Sequence, residues 1–310
     1  MNVLLIDDPR AKLPNLALMK LSAWHKARGD QVGFNISDPD LIYVSCIFPK
    51  SRGLILSRLT FFPDAKKILG GYGFNNSKLP DEIEHICPDY SLYGINYSMG
   101  YTSRGCIRSC PWCVVPQKEG PIRDHAPLCE FLRHDKLILL DNNFLASPKW
   151  RNNMDRLIRG KIAVNFNQGL DIRLVDQETA HLLSRVRCMD HKFRRRALHF
   201  AFDLPSLESD VIQGVTLLER AGFRLSSLMC YVLVGFNTNF QEDLSRVRTL
   251  IRLGVRPYVM RYNFRRDDKR LNAFARWING RYWKICDWER YRRTQLLANT
   301  RKEVRTVGLV

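Results

Sequence analysis

Thr102-Ser103-Arg104-Gly105-Cys106-Ile107-Arg108-Ser109-Cys110-Pro111-Trp112-Cys113 sets three cysteines in the spacing Cys-x-x-x-Cys-x-x-Cys. Cubane iron–sulfur clusters are held by cysteine thiolates, usually four, so a compact trio leaves one iron without a protein ligand and open to chemistry. Soft thiolates also suit zinc. Structural zinc sites, however, are closed by four ligands and usually show paired Cys-x-x-Cys spacing, and no second pair follows here.

Outward from this stretch, short apolar runs alternate with helical patterns. Strand candidates lie at 94–97, 137–140, 162–166, 198–202, 228–234 and 257–262, with amphipathic helical patterns at 178–186, 211–222 and 241–253. Six strands with intervening helices predict a partial (β/α)6 barrel of TIM type over residues 91–265, with functional residues at the C-terminal ends of the strands. Before it, an apolar run at 3–6 leads to Leu16, Met19, Leu21 and Trp24 at helical spacing and a stop at Gly29-Asp30. A strand at 41–44, a helix-like stretch at 54–59 and a turn at Gly70-Gly71-Tyr72-Gly73 complete a small Rossmann-like α/β unit over residues 1–90, with Pro88 near its boundary. Residues 266–310 form a basic, aromatic-rich helical tail.

The chain has 310 residues, 45% of them hydrophobic, which is enough for a packed core in about two domains. No apolar run approaches the ~20 residues of a membrane helix. Met1 is followed directly by a strand-like segment with no basic n-region, so no secretory signal is expected and the chain is placed in the cytoplasm. Nine cysteines, three of them within residues 106–113, argue for metal ligation in a reducing compartment rather than a disulfide framework. A formal charge of +18 attracts polyanions without naming one.

The cysteine spacing, Trp112 before the last cysteine and the preceding Thr-Ser-Arg-Gly resemble the radical S-adenosylmethionine (SAM) superfamily, in the branch with an N-terminal cobalamin-binding-type domain. The resemblance covers residues 91–265. It implies a 4Fe-4S cluster on Cys106, Cys110 and Cys113, SAM chelated to the open iron, reductive cleavage to a 5'-deoxyadenosyl radical, and a reductant of flavodoxin or ferredoxin type. It also implies that Trp112 lies near the adenine, and that Asp141-Asn142-Asn143, ending the second strand, lies near the SAM amino group. The commoner Gly-Gly-Glu form is absent there.

Gln168, Asp171 and Arg173 follow the third strand, where the resemblance implies a pairing of Arg173 with the SAM carboxylate. The resemblance further implies that Asp203, ending the fourth strand, contacts ribose or substrate and that Leu233 and Gly235 lie on the adenine-flanking strand. Plainer roles stand beside these: a solvated strand-to-helix loop for the first three, a helix cap for Asp203, core packing for Leu233.

Leu5-Ile6-Asp7-Asp8, the strand at 41–44 and the glycine turn follow the order of landmarks in cobalamin-binding-type domains, so cobalamin joins the implied cofactors. The Asp-x-His-x-x-Gly loop that supplies a cobalt ligand is absent, and His25, inside a helical pattern, reads as a surface residue. Cys46 and Cys87 are one ligand short of the second cluster of methylthiotransferases. Cys129, Cys188, Cys230 and Cys286 read as structural.

Basic residues gather at 191–196, at 261–270 and around Trp277, Arg281, Tyr282, Trp283, Lys284, Trp288, Arg290, Tyr291, Arg292 and Arg293. Interleaved aromatics either stack on bases or seal a terminal helix onto the barrel. Two functions follow. One is radical SAM chemistry on an unidentified, anionic or nucleic-acid substrate, methyl transfer included. The other is a basic nucleic-acid-binding iron–sulfur protein with a structural or redox-sensing cluster.

Overall fold

The computed structural model describes residues 1–75, 77–262 and 268–294. Part of the basic run at 261–270 and the end of the tail, residues 295–310, lie outside the described residues. The fold is mixed α/β with parallel sheets. The chain divides into two compact units: Met1–Thr102 with His125–Leu140, and Ser103–Asp124 with the described residues from Asp141 onward.

In the first unit, the parallel strands Gln31–Gly33, Asn2–Ile6, Leu41–Ser45 and Lys66–Gly70 lie side by side in that order. The two central strands are apolar on both faces, as a sheet covered on both sides requires. Val3, Leu5 and Leu41 pack with Leu18 and Leu21 of the helix Leu16–Lys26. Leu4, Ile6, Ile42 and Val44 pack with Ile55 and Leu59 of the helix Arg52–Leu59. The two edge strands are absent from the sequence reading because Gln31 and the Lys66-Lys67 pair leave them no apolar run.

Two expectations need correction in this unit. His25 is buried rather than on the surface, because it continues the inward face of Leu18 and Leu21. Its Nδ1 lies 2.7 Å from Asp30 and its Nε2 3.3 Å from the Tyr43 hydroxyl, so both ring nitrogens have partners. The strand expected at 94–97 lies instead at Ser98–Gly100. Asp89 caps a 3-10 turn, Tyr90–Tyr93, that ends on left-handed Gly94, and this turn takes up the chain that would otherwise extend. Ser98–Gly100 pairs in parallel with Lys136–Leu139.

In the second unit, Ser103–Arg104 pairs antiparallel with Arg123–Asp124 at the neck of the cysteine-bearing segment. Ala163–Phe166 pairs in parallel with Arg187–Cys188. Leu198–Ala201, Leu228–Val234 and Arg256–Arg261 form a three-stranded parallel sheet. The helices Glu208–Arg220 and Phe240–Arg252 separate its strands in sequence, the second opened by a capping box of Asn239 and Glu242.

Phe274, Trp277, Trp288 and Tyr291 are buried together with ring contacts of 5.5–6.3 Å, so the tail aromatics seal the end of this unit. The Asn279 amide accepts from Val259 N and donates to Val259 O, satisfying backbone groups on the outer edge of the strand Arg256–Arg261. Cys188 and Cys230 are buried as expected of packing residues, but Cys129 is exposed and has no packing role. Among the described residues, no helix is long and apolar enough to cross a membrane.

Candidate metal centre

The loop that carries the three cysteines is closed at its base by a glycine whose conformation and close contacts oppose a side chain. Gly105 adopts φ +82°, and a Cβ there would lie 2.1 Å from the Pro121 carbonyl oxygen. Cys106 N then donates to Gly120 O at 3.3 Å.

Three consecutive side chains clasp three positions of the same loop. Asp141 Oδ1 accepts from Ser103 N at 2.6 Å and from Ser103 Oγ at 2.7 Å. Asn142 Oδ1 accepts from Gly105 N at 3.0 Å. Asn143 Nδ2 donates to Cys106 Sγ at 3.4 Å. Asp141 and Asn142, expected beside SAM, thus have acceptors committed to bracing the loop. Only Asn143 keeps an uncommitted acceptor: its Oδ1 is buried and has no hydrogen-bond partner.

The three thiols are half-exposed, and two of them are themselves acceptors. Arg108 N lies 3.3 Å from Cys106 Sγ and Val115 N 3.4 Å from Cys113 Sγ. Such donors stabilise thiolate and tune a cluster's potential. Burial pushes the Cys110 thiol up, with nearby Arg173 opposing it and Cys113 and Cys106 adding to it. In this conformation, no three His, Cys, Asp or Glu side chains among the described residues form a metal-binding group. The chemistry of the donor set, three thiols on one braced loop, two of them with N–H groups directed at sulfur, nevertheless fits a three-thiolate cluster.

Asp171 joins the loop to the third-strand residues. Arg173 forks onto it, Nε to Oδ1 at 2.6 Å and Nη2 to Oδ2 at 3.0 Å, and Arg108 Nε reaches Oδ2 at 3.0 Å. Burial raises this carboxyl, but the two arginines outweigh it and hold Asp171 below the ordinary carboxylate range. Arg173 therefore spends two donors on Asp171, and a SAM carboxylate would have to share or displace that fork. Gln168 is exposed and outside these bonds.

Trp112, Asp203, Leu233 and Gly235 come together. Burial raises the Asp203 carboxyl, with the Leu233 backbone, the arginines Arg246 and Arg173 and the nearby Trp112 indole opposing the rise, and Asp203 Oδ1 accepts from Leu233 N at 3.1 Å. Asp203 is thus no helix cap. Trp112 meets Phe236 edge-on at 5.4 Å, and Phe236 meets Tyr262 at 4.7 Å. Gly235 has φ +76°, letting the chain turn into this aromatic wall.

The sequence reading missed Arg246. It is buried and donates to Phe202 O at 2.7 Å, Leu233 O at 2.8 Å and Asp243 Oδ1 at 2.5 Å, tying together the strand ends that carry Asp203 and Leu233. The available signal was an arginine between Leu244 and Val247 on a helix's apolar stripe, with an aspartate three residues before it. Ser103, Arg108 and Phe236 were also missed as partners.

The basic loop at 191–196 is partly occupied. Arg195 pairs with Asp190 at 3.3 Å, while Arg196 donates to Ser184 O at 2.8 Å and lies 4.1 Å over the Phe223 ring.

The N-terminal unit does not fit cobalamin. Asp8 is saturated by Ile47 N, Phe48 N and Ser51 Oγ at 2.6–2.8 Å. Gly71 and Gly73 press on Cys46 so closely that a Cβ on either would meet it at 2.4 and 2.3 Å. No protein-family model and no curated protein matches the chain.

Proposed function

We propose that this chain is a radical SAM enzyme, built as a small Rossmann-like unit and a partial (β/α)6 barrel. In this account Cys106, Cys110 and Cys113 hold a 4Fe-4S cluster. The chemistry that the bound cluster supplies is one-electron cleavage of SAM to methionine and a 5'-deoxyadenosyl radical, driven by a flavodoxin- or ferredoxin-type donor.

The observation that carries this reading is Asn143. Its amide nitrogen is on a cysteine ligand, and its buried oxygen lacks a donor. A buried orphan acceptor costs about 1–3 kcal/mol, which an N–H of an incoming amino group beside Cys106 would offset. Asp141 and Asn142 hold the loop in register. The Arg173–Asp171–Arg108 fork places positive charge beside the thiolates, and Trp112, Phe236 and Tyr262 wall the site against water.

Anaerobically reconstituted, reduced protein tests the account by paramagnetic resonance. Addition of SAM should shift the cluster signal, because SAM takes the open iron. An identical spectrum with and without SAM contradicts it.

A further inference from the structure

We propose that the open face of the three-stranded sheet binds single-stranded nucleic acid and that, resting on the enzyme reading above, this strand is the substrate. Parallel register places Ala201, Tyr231 and Tyr258 in one row, His199, Met229 and Arg256 in the next, and Leu233 beside Met260. Side chains alternate along a strand, so these groups share one face, opposite the buried Phe200, Cys230, Val232 and Val259.

His199 meets Tyr231 at 5.8 Å and Tyr231 meets Tyr258 at 5.7 Å, both edge-on, so three rings run across the strands. Tyr258 is 41% and Met260 48% exposed on the edge strand, so this face leaves large apolar groups open to solvent on a parallel sheet, a kind usually covered on both sides. The row continues along the strands to Leu233, which is bonded to Asp203 and so to the candidate centre.

Charge selects the occupant. Arg256 stands at the foot of this face, with Nη2 2.9 Å from Met229 Sδ. Burial first, then repulsion from Arg195 and Arg281, lowers its affinity for a proton, so three arginines are gathered here, of which Arg195 is paired with Asp190. In a chain of formal charge +18, a polyanion relieves that repulsion. Burial pushes His199 down to about 4, leaving a neutral ring at pH 7. Rings for bases beside arginines for phosphates make up the general platform for single strands.

The test is fluorescence anisotropy of the cluster-loaded protein with a labelled single-stranded RNA, a duplex and poly-glutamate, across salt concentrations and without SAM or reductant. The single strand should bind at ~150 mM salt, with affinity falling as salt rises. Tyr258→Ala should weaken it about tenfold with an unchanged salt slope, while Tyr258→Phe should bind like the parent. Arg281→Gln should flatten the slope by about 0.7. No binding at ~150 mM salt, an unaffected Tyr258→Ala variant, or equal binding of poly-glutamate would overturn the proposal. If binding fails while SAM is still cleaved, this surface falls and the enzyme reading stands. If binding holds without SAM cleavage, the surface stands and its role as a substrate site falls.

Discussion

Asn143 Nδ2 lies 3.4 Å from Cys106 Sγ, while Oδ1 of the same amide is buried and unpaired. One side chain thus holds a cysteine with one end and presents a desolvated acceptor with the other. Asn143→Leu keeps the volume and removes both. The variant should load iron normally and be no less stable than the parent, since the orphan acceptor is gone. It should bind SAM more weakly by about 1.5–3 kcal/mol, the range for a hydrogen bond to a charged group. Unchanged SAM affinity by calorimetry would exclude this role.

Gly105→Ala tests whether the loop geometry is required. A left-handed backbone and a Cβ 2.1 Å from a carbonyl oxygen cannot both be accommodated without moving the strand ends. The loss should exceed ~1 kcal/mol of stability, and iron per chain should fall because Cys106 is the next residue. Full loading with an unshifted urea midpoint would show that the loop adapts freely.

Much of this architecture is legible in the sequence, for physical reasons. The strand at 41–44 is covered on both faces and the strand at 228–234 is apolar on its packed face and largely so on the other, so both announce themselves as apolar runs. The cysteine spacing is local, so it needs no fold to be seen. What escapes is non-local. Nothing in Asp141-Asn142-Asn143 shows that two of its acceptors turn back onto Ser103 and Gly105, 38 and 37 residues earlier. His25 and Arg246 look like surface residues until their partners Asp30, Tyr43 and Asp243 are placed beside them. The fork of Arg173 on Asp171 is close in sequence, but its meaning depends on Arg108 arriving from the cysteine loop.

Arg246→Met should lower stability by about 3–5 kcal/mol, because it leaves Asp243 buried without its charge partner, with Thr238 as its remaining side-chain donor. Arg246→Met with Asp243→Leu should recover much of that loss by replacing the pair with apolar groups. Chemical denaturation of both variants checks the claim. A double variant as unstable as the single one would place the cost in the lost backbone bonds to Phe202 and Leu233 instead.

His199 should titrate with a midpoint near 4, since burial, reinforced by Arg256, opposes its charging. The folded value lies below the unfolded one of about 6.5, so the contribution to stability is whole above pH ~6.5. It should decline as pH falls from there towards 4. Imidazole resonances followed by NMR read this directly, and a midpoint near 6.5 would contradict the buried, neutral ring.

The most direct measurement of the central claim is the fate of SAM. Reconstituted anaerobically and reduced, the protein should convert SAM to 5'-deoxyadenosine, detected by mass spectrometry. The variant with Cys106, Cys110 and Cys113 all changed to Ala should hold no cubane cluster and yield none. A full cluster in that triple variant, or a loaded and reduced parent protein that leaves SAM intact, would contradict the account.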